Sequence, residues 1–234
     1  MEMIDNKMEN INHAKGGIIN GHEWVDLGLS VKWATCNIGA STPCEHGDLF
    51  AWGETEPKSE YSWKNYKFRL SGEYAKATFN QYTTRPGQKP DGLVQTGQFS
   101  WVNMPSVENE QSIVDNKTRL DLSDDAARVN WGGSWRMPTT EELDELITKC
   151  NWKQALIGDN CNRVYRVTSK VNGNSIVLPY DGGRECYWSS SLRTGEPFKA
   201  YGIEIGYSPT FESDMIGWTS ESRCNGLAVR PVSE

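Results

Sequence analysis

Apolar residues recur with helical spacing in one segment of the chain. Four of them, at positions i, i+3, i+4 and i+7, lie on one face of a predicted helix: Leu143, Leu146, Ile147 and Cys150. Thr139 and Glu142 are spaced as a capping box, in which each side chain accepts a free backbone N–H, so the helix begins beside Thr139. Glu145 and Lys149 are spaced i, i+4 on its outer side. A second, shorter helix is predicted with Ser123 as its N-cap.

Alternating apolar and polar residues predict several short strands. Asn172-Gly173, between the apolar runs 164–168 and 175–178, is typical of a tight β-hairpin turn because both positions tolerate positive φ. Pro231 belongs near the end of an edge or terminal strand because it cannot donate a hydrogen bond. The other predicted strands lie near residues 23–29, 31–35, 49–52, 186–189, 201–205 and 227–232. Short strands with two helices and long loops indicate the α+β class.

The remaining segments suggest one domain, residues 21–234, preceded by an arm. Residues 1–20 show no apolar period, so we expect a flexible N-terminal arm. Residues 54–82 contain many aromatic rings without a regular period, which indicates a meander held by its aromatic side chains. Residues 74–115 include a long stretch of low apolar content, which predicts a surface insertion.

Charge and composition exclude some classes of function. The net charge is −7, from 31 acidic and 24 basic residues, and no cluster of Lys and Arg is present. Binding to nucleic acid through phosphates is therefore not expected. The apolar runs are only a few residues long, so we expect no membrane span. Residues 1–20 lack the apolar stretch of an export signal, which favours a cytoplasmic or phage-associated location.

The segment from Leu192 to Cys224 has the composition of a recognition surface. It combines large aromatic residues and arginines, including Arg223, with Gly, Ser and Thr on predicted loops. Rigid rings supply contact area at a low entropy cost, and small polar residues adapt to a partner. Its aromatic residues Phe198, Phe211 and Trp218 could instead simply cover the sheet.

Ordered sequence blocks also carry a family resemblance. They are Glu23–Leu29, Trp33–Ala40, Gly47–Thr55, Asp124–Ala127, Trp131-Gly132, Trp135–Thr139 with Glu142 and Leu143, Tyr187–Ser190 and Val229–Val232. Together they resemble the FISUMP-type "major paralogous" domain of Bacteroidetes and related bacteria, and they span residues 22–232, with no match near 74–113. That family is similar to the C-type lectin-like and formylglycine-generating-enzyme folds. The resemblance implies that the two chain ends pair as neighbouring strands and that the last third carries a ligand surface.

Two chemical alternatives belong to such folds. A formylglycine-generating oxidase requires a close cysteine pair that binds copper, whereas Cys186 and Cys224 are far apart in sequence, and the six cysteines form no CxxC pair. A calcium-dependent lectin uses Glu-Pro-Asn, whereas this chain has Glu196-Pro197-Phe198. An iron-type relative requires a histidine cluster, whereas the three histidines of this chain all lie in its first fifth. We therefore expect mostly reduced thiols, no catalytic residue, no metal and no cofactor, and keep the oxidase as an alternative.

The C-terminal layout also resembles the variable proteins of diversity-generating retroelements, in which chosen codons near the gene end are rewritten. This resemblance implies a non-enzymatic protein that displays a diversified surface to a protein or glycan ligand on another cell or virion. The resemblance also allows the protein to be an oligomer. A structural or adhesin module is the other alternative. The predicted ligand-binding positions are Arg193, Glu196, Phe198, Lys199, Glu204, Tyr207, Phe211, Met215, Trp218, Ser220, Glu221 and Ser222.

Overall fold

The computed structural model describes residues 16–71, 78–83, 115–158, 162–210 and 212–234. Within these residues the helices are α1 (Ala126–Trp131) and α2 (Thr140–Lys149). The strands are β1 (Gly16–Ile19), β2 (His22–Val25), β3 (Lys32–Ala34), β4 (Leu49–Phe50), β5 (Arg69–Ser71), β6 (Thr78–Phe79), β7 (Cys150–Ile157), β8 (Asn162–Ser169), β9 (Ser175–Pro179), β10 (Arg184–Leu192), β11 (Lys199–Ser208), β12 (Ser213–Ser222), β13 (Leu227–Ala228) and β14 (Val232–Ser233).

The strands form four sheets, and the protein is α+β with a large share of strand. The orders are β1-β2-β3-β14, β12-β11-β10-β13-β4, β5-β6 and β7-β8-β9. Neighbouring strands run antiparallel, except that β10 and β13 are parallel. In the five-stranded sheet β12 is the last strand at one side, so one of its two edges has no neighbouring strand among the described residues.

The two chain ends meet in the first sheet. Val232 of β14 pairs with Trp33 of β3, and Ser233 pairs with Lys32. The backbone N–H of Ala34 donates to the carbonyl of Pro231 at 3.0 Å. The resemblance implied that an N-terminal and a C-terminal strand lie side by side, and β3 and β14 do so in this fold.

The prediction of a flexible arm over residues 1–20 is wrong for its last five residues. β1 pairs along its whole length with β2, and Asn20 and Gly21 form the turn with φ values of 47° and 85°. The carbonyl of Ile19 also accepts a hydrogen bond of 2.9 Å from Nε1 of Trp135. An Asn-Gly turn matches the twist of a hairpin, and this signal explains the strand. Residues 1–15 lie outside the described part.

The main helix prediction is confirmed. The Thr139 hydroxyl accepts from the N–H of Glu142, and the Glu142 carboxylate accepts from the N–H of Thr139. The Lys149 ammonium lies 2.7 Å from Glu145. The cap of the shorter helix was misassigned, since Asp125 rather than Ser123 accepts the N–H of Arg128 at 3.0 Å.

The hairpin of β8 and β9 is confirmed, but its connection spans residues 170–174 instead of a two-residue turn. Gly173 has φ 79°, whereas Asn172 does not adopt positive φ. Five strands were not predicted: β1, β5, β6, β7 and β12. β7 follows α2 directly, and β12 occupies ten residues of the segment that the composition indicated as loop. The local sequence of β12 contains two serines at one end and a glycine at its centre, so its strand conformation depends on pairing with β11.

The aromatic meander lies in the core. Its buried rings, which also include residues assigned to the predicted surface insertion, are Trp63, Tyr66, Phe68, Phe79 and Tyr82. The insertion prediction is therefore wrong for residues 78–83, because Phe79 and Tyr82 are almost fully buried. The carboxylate of Asp115 accepts the N–H of Tyr82 at 2.8 Å, which joins the two ends of the segment. The rest of the predicted insertion, residues 84–114 among them, lies outside the description.

In the described part of the chain, neither helix has the length and apolar content needed to cross a bilayer. The cysteines of these residues are free thiols: Cys36, Cys44, Cys150, Cys186 and Cys224. Cys161 lies outside the described residues.

Candidate ligand-binding surface

The last third of the chain builds its surface from three adjacent strands. β11 pairs with β10 on one side and with β12 on the other, and β12 pairs with β11 over all ten of its residues. Because side chains alternate along a strand and directly opposed residues share a face, the register assigns every side chain to one of two faces. We name them the Tyr201 face and the Glu204 face, after two residues of β11.

The predicted binding residues are divided between these faces. On the Tyr201 face, Lys199 opposes Ser222 and Tyr201 opposes Ser220. The central part of this face is covered, since Ile203 and Ile205 are buried in the core and Trp218 packs against them. On the Glu204 face the predicted residues are Glu204, Met215 and Glu221. The twelve positions therefore do not form one continuous surface.

Four predicted residues do come together, at the turn between β10 and β11. Arg193 donates from Nη1 to the hydroxyl of Ser220 over 2.5 Å, and its Nη2 lies 2.8 Å from the Glu196 carboxylate. Glu196 also lies 3.0 Å from the ammonium of Lys199. The Arg193 and Lys199 side chains are 35% and 30% exposed. We call this group, Arg193, Glu196, Lys199 and Ser220, the turn patch.

An aromatic pair adjoins the turn patch. The Tyr201 and Trp218 rings lie 6.5 Å apart at an interplanar angle of 76°. Burial raises the pKa of Tyr201, an effect that Arg193 opposes and Glu196 reinforces, so its hydroxyl remains protonated at neutral pH. Both side chains are half-buried, and Trp218 therefore has a structural role in the core as well as an accessible part.

A charge network crosses three strands on the Glu204 face. Arg184 of β10 donates from Nε to Glu204 of β11 at 2.7 Å. From Nη2 it donates to Thr219 at 2.9 Å and to Glu221 at 2.7 Å, both on β12. Burial lowers the pKa of Arg184, but the two carboxylates overcome this effect and raise the pKa above its ordinary value. Arg184 thus stays charged and holds two carboxylates on neighbouring strands.

A shallow cleft of about 430 Å³ lies beside this network, and Glu221 is the predicted binding residue that lines it. The buried thiol of Cys186 lines the same cleft, and burial raises its pKa to about 12, so the thiol is protonated at neutral pH. Cys224 is buried in the aromatic core cluster. Among the described residues, no group of three or more metal-ligating side chains is found.

The structure corrects the prediction that Phe198 and Arg223 belong to an exposed surface, because both side chains are buried. Phe198 is only 8% exposed and belongs to the core cluster that contains Trp52. Arg223 is completely buried, with Nε donating to the Tyr66 hydroxyl at 2.8 Å and Nη1 donating to the Pro197 carbonyl at 3.0 Å. Neither side chain can contact a partner in this conformation.

The remaining predicted residues lie away from the turn patch. Tyr207 is 40% exposed at the opposite end of β11, where it opposes Asp214. Met215 is half-buried on the Glu204 face, opposite Gly206. Phe211 lies outside the described residues.

Sequence reasoning overlooked three residues of this surface: Tyr201, Arg184 and Thr219. Tyr201 begins a predicted strand and lies on the same face of β11 as Lys199. Arg184 precedes the segment that the composition singled out. Its position opposite Gly206, one strand from β12, could not be deduced without the pairing register.

Comparisons with protein-family models, with curated proteins and with solved structures found no match for this chain. The function of the surface must therefore follow from its own chemistry and geometry.

Proposed function

We propose that this protein is a non-enzymatic ligand-binding protein that presents a C-terminal recognition surface on a C-type lectin-like scaffold. In the form we favour, it is a variable protein of a diversity-generating retroelement with a receptor-binding or display role in a bacterium or phage. The antiparallel pairing of β3 with β14, two short helices and a sheet-borne C-terminal segment support this scaffold.

The observation that carries the proposal is the turn patch. Residues that are separated by up to 27 positions in sequence meet there through direct polar contacts. Their charged side chains remain partly exposed, while the strands beneath them are fixed by the core residues Ile203 and Ile205. A rigid frame under adaptable polar side chains lowers the entropy cost of binding. Side chains in this position can also be replaced without emptying the core.

The binding test uses wild-type protein, a patch variant and a control variant with the same change in charge. The patch variant is Arg193→Gln with Lys199→Gln, and the control is Lys32→Gln with Lys64→Gln, two cations on other elements. All three are screened against a printed glycan array and a displayed random-peptide library. We expect wild type and control to enrich the same ligands and the patch variant to lose them. Equal enrichment by all three proteins, or no enrichment by wild type, contradicts the proposal.

The retroelement component has its own test at the level of the gene. Codons 187–234 are compared with a near-identical template copy in the same genome. We expect differences between the copies at adenine positions, concentrated in codons for partly exposed residues such as Arg193, Glu196 and Ser220. Differences spread over all four bases, or concentrated at the buried Trp188 and Arg223, would contradict this origin of the surface.

A further inference from the structure

The outer edge of β12, which no other described strand pairs with, is a second feature of the same surface. Ten consecutive residues of β12 pair with β11, and β12 is the terminal strand of its sheet within the described residues. Alternate N–H and C=O groups of such a strand point away from the sheet, where another strand can pair with them. β12 contains neither lysine nor proline, two residues that commonly protect an exposed edge, and its charged residues are Asp214 and Glu221.

The turn patch reaches this edge. Arg193 lies in the turn that follows β10, yet its guanidinium donates to Ser220 on β12. The Arg193 side chain therefore extends across β11 near Tyr201, which opposes Ser220, and brings its positive charge to the terminal strand β12. With Lys199 and Glu196 the patch has a net charge of +1, whereas the whole chain has −7. A locally positive site on an acidic protein favours an anionic group on a ligand.

The opposite side of the same edge has different chemistry. On the Glu204 face β12 presents Thr219 and Glu221, and Glu221 shares the Arg184 guanidinium with Glu204. A carboxylate placed directly opposite Glu221 would be repelled, because like charges opposed across strands are destabilising. Beside the turn patch an added strand would therefore meet a cation on the Tyr201 face and a carboxylate on the Glu204 face. At the opposite end of β12, Asp214 places a carboxylate on the Tyr201 face.

We infer that β12 binds an extended acidic peptide of a partner protein by strand addition along residues 217–222, the half of β12 beside the turn patch. The peptide has acidic side chains at alternate positions on the Tyr201 face and uncharged ones between them. Main-chain hydrogen bonds to the β12 edge supply affinity, and the contact of peptide carboxylates with Arg193 and Lys199 supplies specificity. This inference rests on the proposed function, since it names the partner class of the same surface.

Three synthetic peptides test the charge pattern, each six residues long to match residues 217–222 of β12. The first alternates glutamate and threonine, the second alternates lysine and threonine, and the third has the composition of the first with its glutamates in one block. Isothermal titration calorimetry measures their binding to the full chain. We expect the first to bind, the second not to bind and the third to bind roughly tenfold more weakly. Equal binding of the first two peptides would overturn the inference.

N-methylation tests the strand pairing itself. One version of the alternating peptide carries methyl groups on every glutamate nitrogen, and the other on every threonine nitrogen. In a paired strand alternate N–H groups point to the neighbour, so one methylated peptide should lose binding and the other should keep it. Equal binding of both peptides, or loss by both, would exclude addition to the β12 edge.

Protein variants assign the contact to the turn patch. Arg193→Gln should weaken binding of the glutamate-threonine peptide about fivefold, the effect of one partly exposed ion pair. Glu196→Gln should strengthen it, because Glu196 competes with the peptide for both cations. A purely structural role of Glu196 predicts no gain. Lys64→Gln, which removes an exposed cation elsewhere, should leave the affinity unchanged. An unchanged affinity in both patch variants would overturn the inference.

The two proposals fail in different ways. If the array or library yields ligands that the patch variant loses, while the glutamate-threonine peptide does not bind, the recognition surface stands and strand addition is wrong. If neither experiment finds a ligand that depends on Arg193 and Lys199, both proposals are wrong.

Discussion

The guanidinium carbon of Arg223 lies 4.4 Å from the centre of the Phe79 ring. Arg223 directly follows β12, and its own N–H and C=O groups pair with Phe198 and Trp52. Five aromatic rings surround its guanidinium at distances from 4.4 to 5.9 Å: Trp52, Tyr66, Phe68, Phe79 and Tyr82. The end of the recognition strand is thus fixed to the aromatic core by a buried cation.

We expect Arg223→Met to lower the free energy of unfolding by about 3 kcal/mol or more, because it leaves buried carbonyl acceptors without their donor. Those acceptors are the carbonyls of Gln81, Tyr82 and Pro197. Urea unfolding at neutral pH measures the change. Arg193→Met on the partly exposed patch should cost less than about 1 kcal/mol. Similar losses for the two variants would refute a structural role specific to Arg223.

Substitution of two glycines on neighbouring strands, Gly202 of β11 and Gly217 of β12, should have opposite effects on stability. A Cβ at Gly202 would lie 2.3 Å from the Tyr187 carbonyl oxygen, whereas a Cβ at Gly217 would meet no atom within 4 Å. Gly202→Ala should therefore reduce the free energy of unfolding by about 2 kcal/mol through overpacking. Gly217→Ala should raise it by about 0.5 kcal/mol, since alanine loses less backbone entropy. Thermal or urea unfolding of both variants checks the opposite signs; a matching loss in Gly217→Ala would contradict them.

Glu145 should make the stability depend on pH. Hydrogen bonds from the Lys149 ammonium and from the N–H of Ser30 lower the pKa of Glu145 to about 2. The unfolded value is about 4.3, so the contribution is complete above that pH and is lost as the pH falls toward 2. Glu145→Gln should therefore be less stable than wild type at neutral pH, and the difference should shrink between about pH 4 and pH 2.

Urea midpoints at several pH values measure this effect. Glu56→Gln, at an exposed position, is the control and should show a small difference that does not follow the same profile. A constant difference between wild type and Glu145→Gln across the acid range would show that the pKa of Glu145 is not depressed in the folded protein.

The Arg184 network predicts strong coupling between three charges. Arg184→Met leaves the carboxylates of Glu204 and Glu221 without their shared partner. It should lower the free energy of unfolding by about 1 kcal/mol at low salt. Adding Glu204→Gln and Glu221→Gln to this variant removes the repulsion and should restore most of the stability. Unfolding of the single, double and triple variants measures the coupling energy. Simple additivity would show that the three side chains act independently.

Elements that were predicted correctly depend on neighbours in sequence. The α2 cap joins Thr139 to Glu142, three residues apart, and the short β8–β9 connection includes Gly173 at positive φ, which glycine adopts at no steric cost. Local hydrogen bonds and backbone preference determine such features, so a short stretch of sequence contains the necessary information. The cap of α1 was missed because three acceptor residues are adjacent, Ser123, Asp124 and Asp125, and all three favour that position.

The surface itself depended on pairings between distant residues. Composition correctly indicated that Arg193, Glu196 and Ser220 are polar and adaptable, but only the register of β11 with β12 brought them together. Composition could not distinguish the buried Arg223 from the exposed Arg193, because the rings that enclose Arg223 come from residues 52–82. The sequence by itself therefore determined helix α2, the β8–β9 hairpin and the chemical character of the recognition segment, whereas strands such as β12 depend on pairing with distant residues. The tertiary structure decided which side chains are accessible, since burial is a property of contacts between segments that are far apart along the chain.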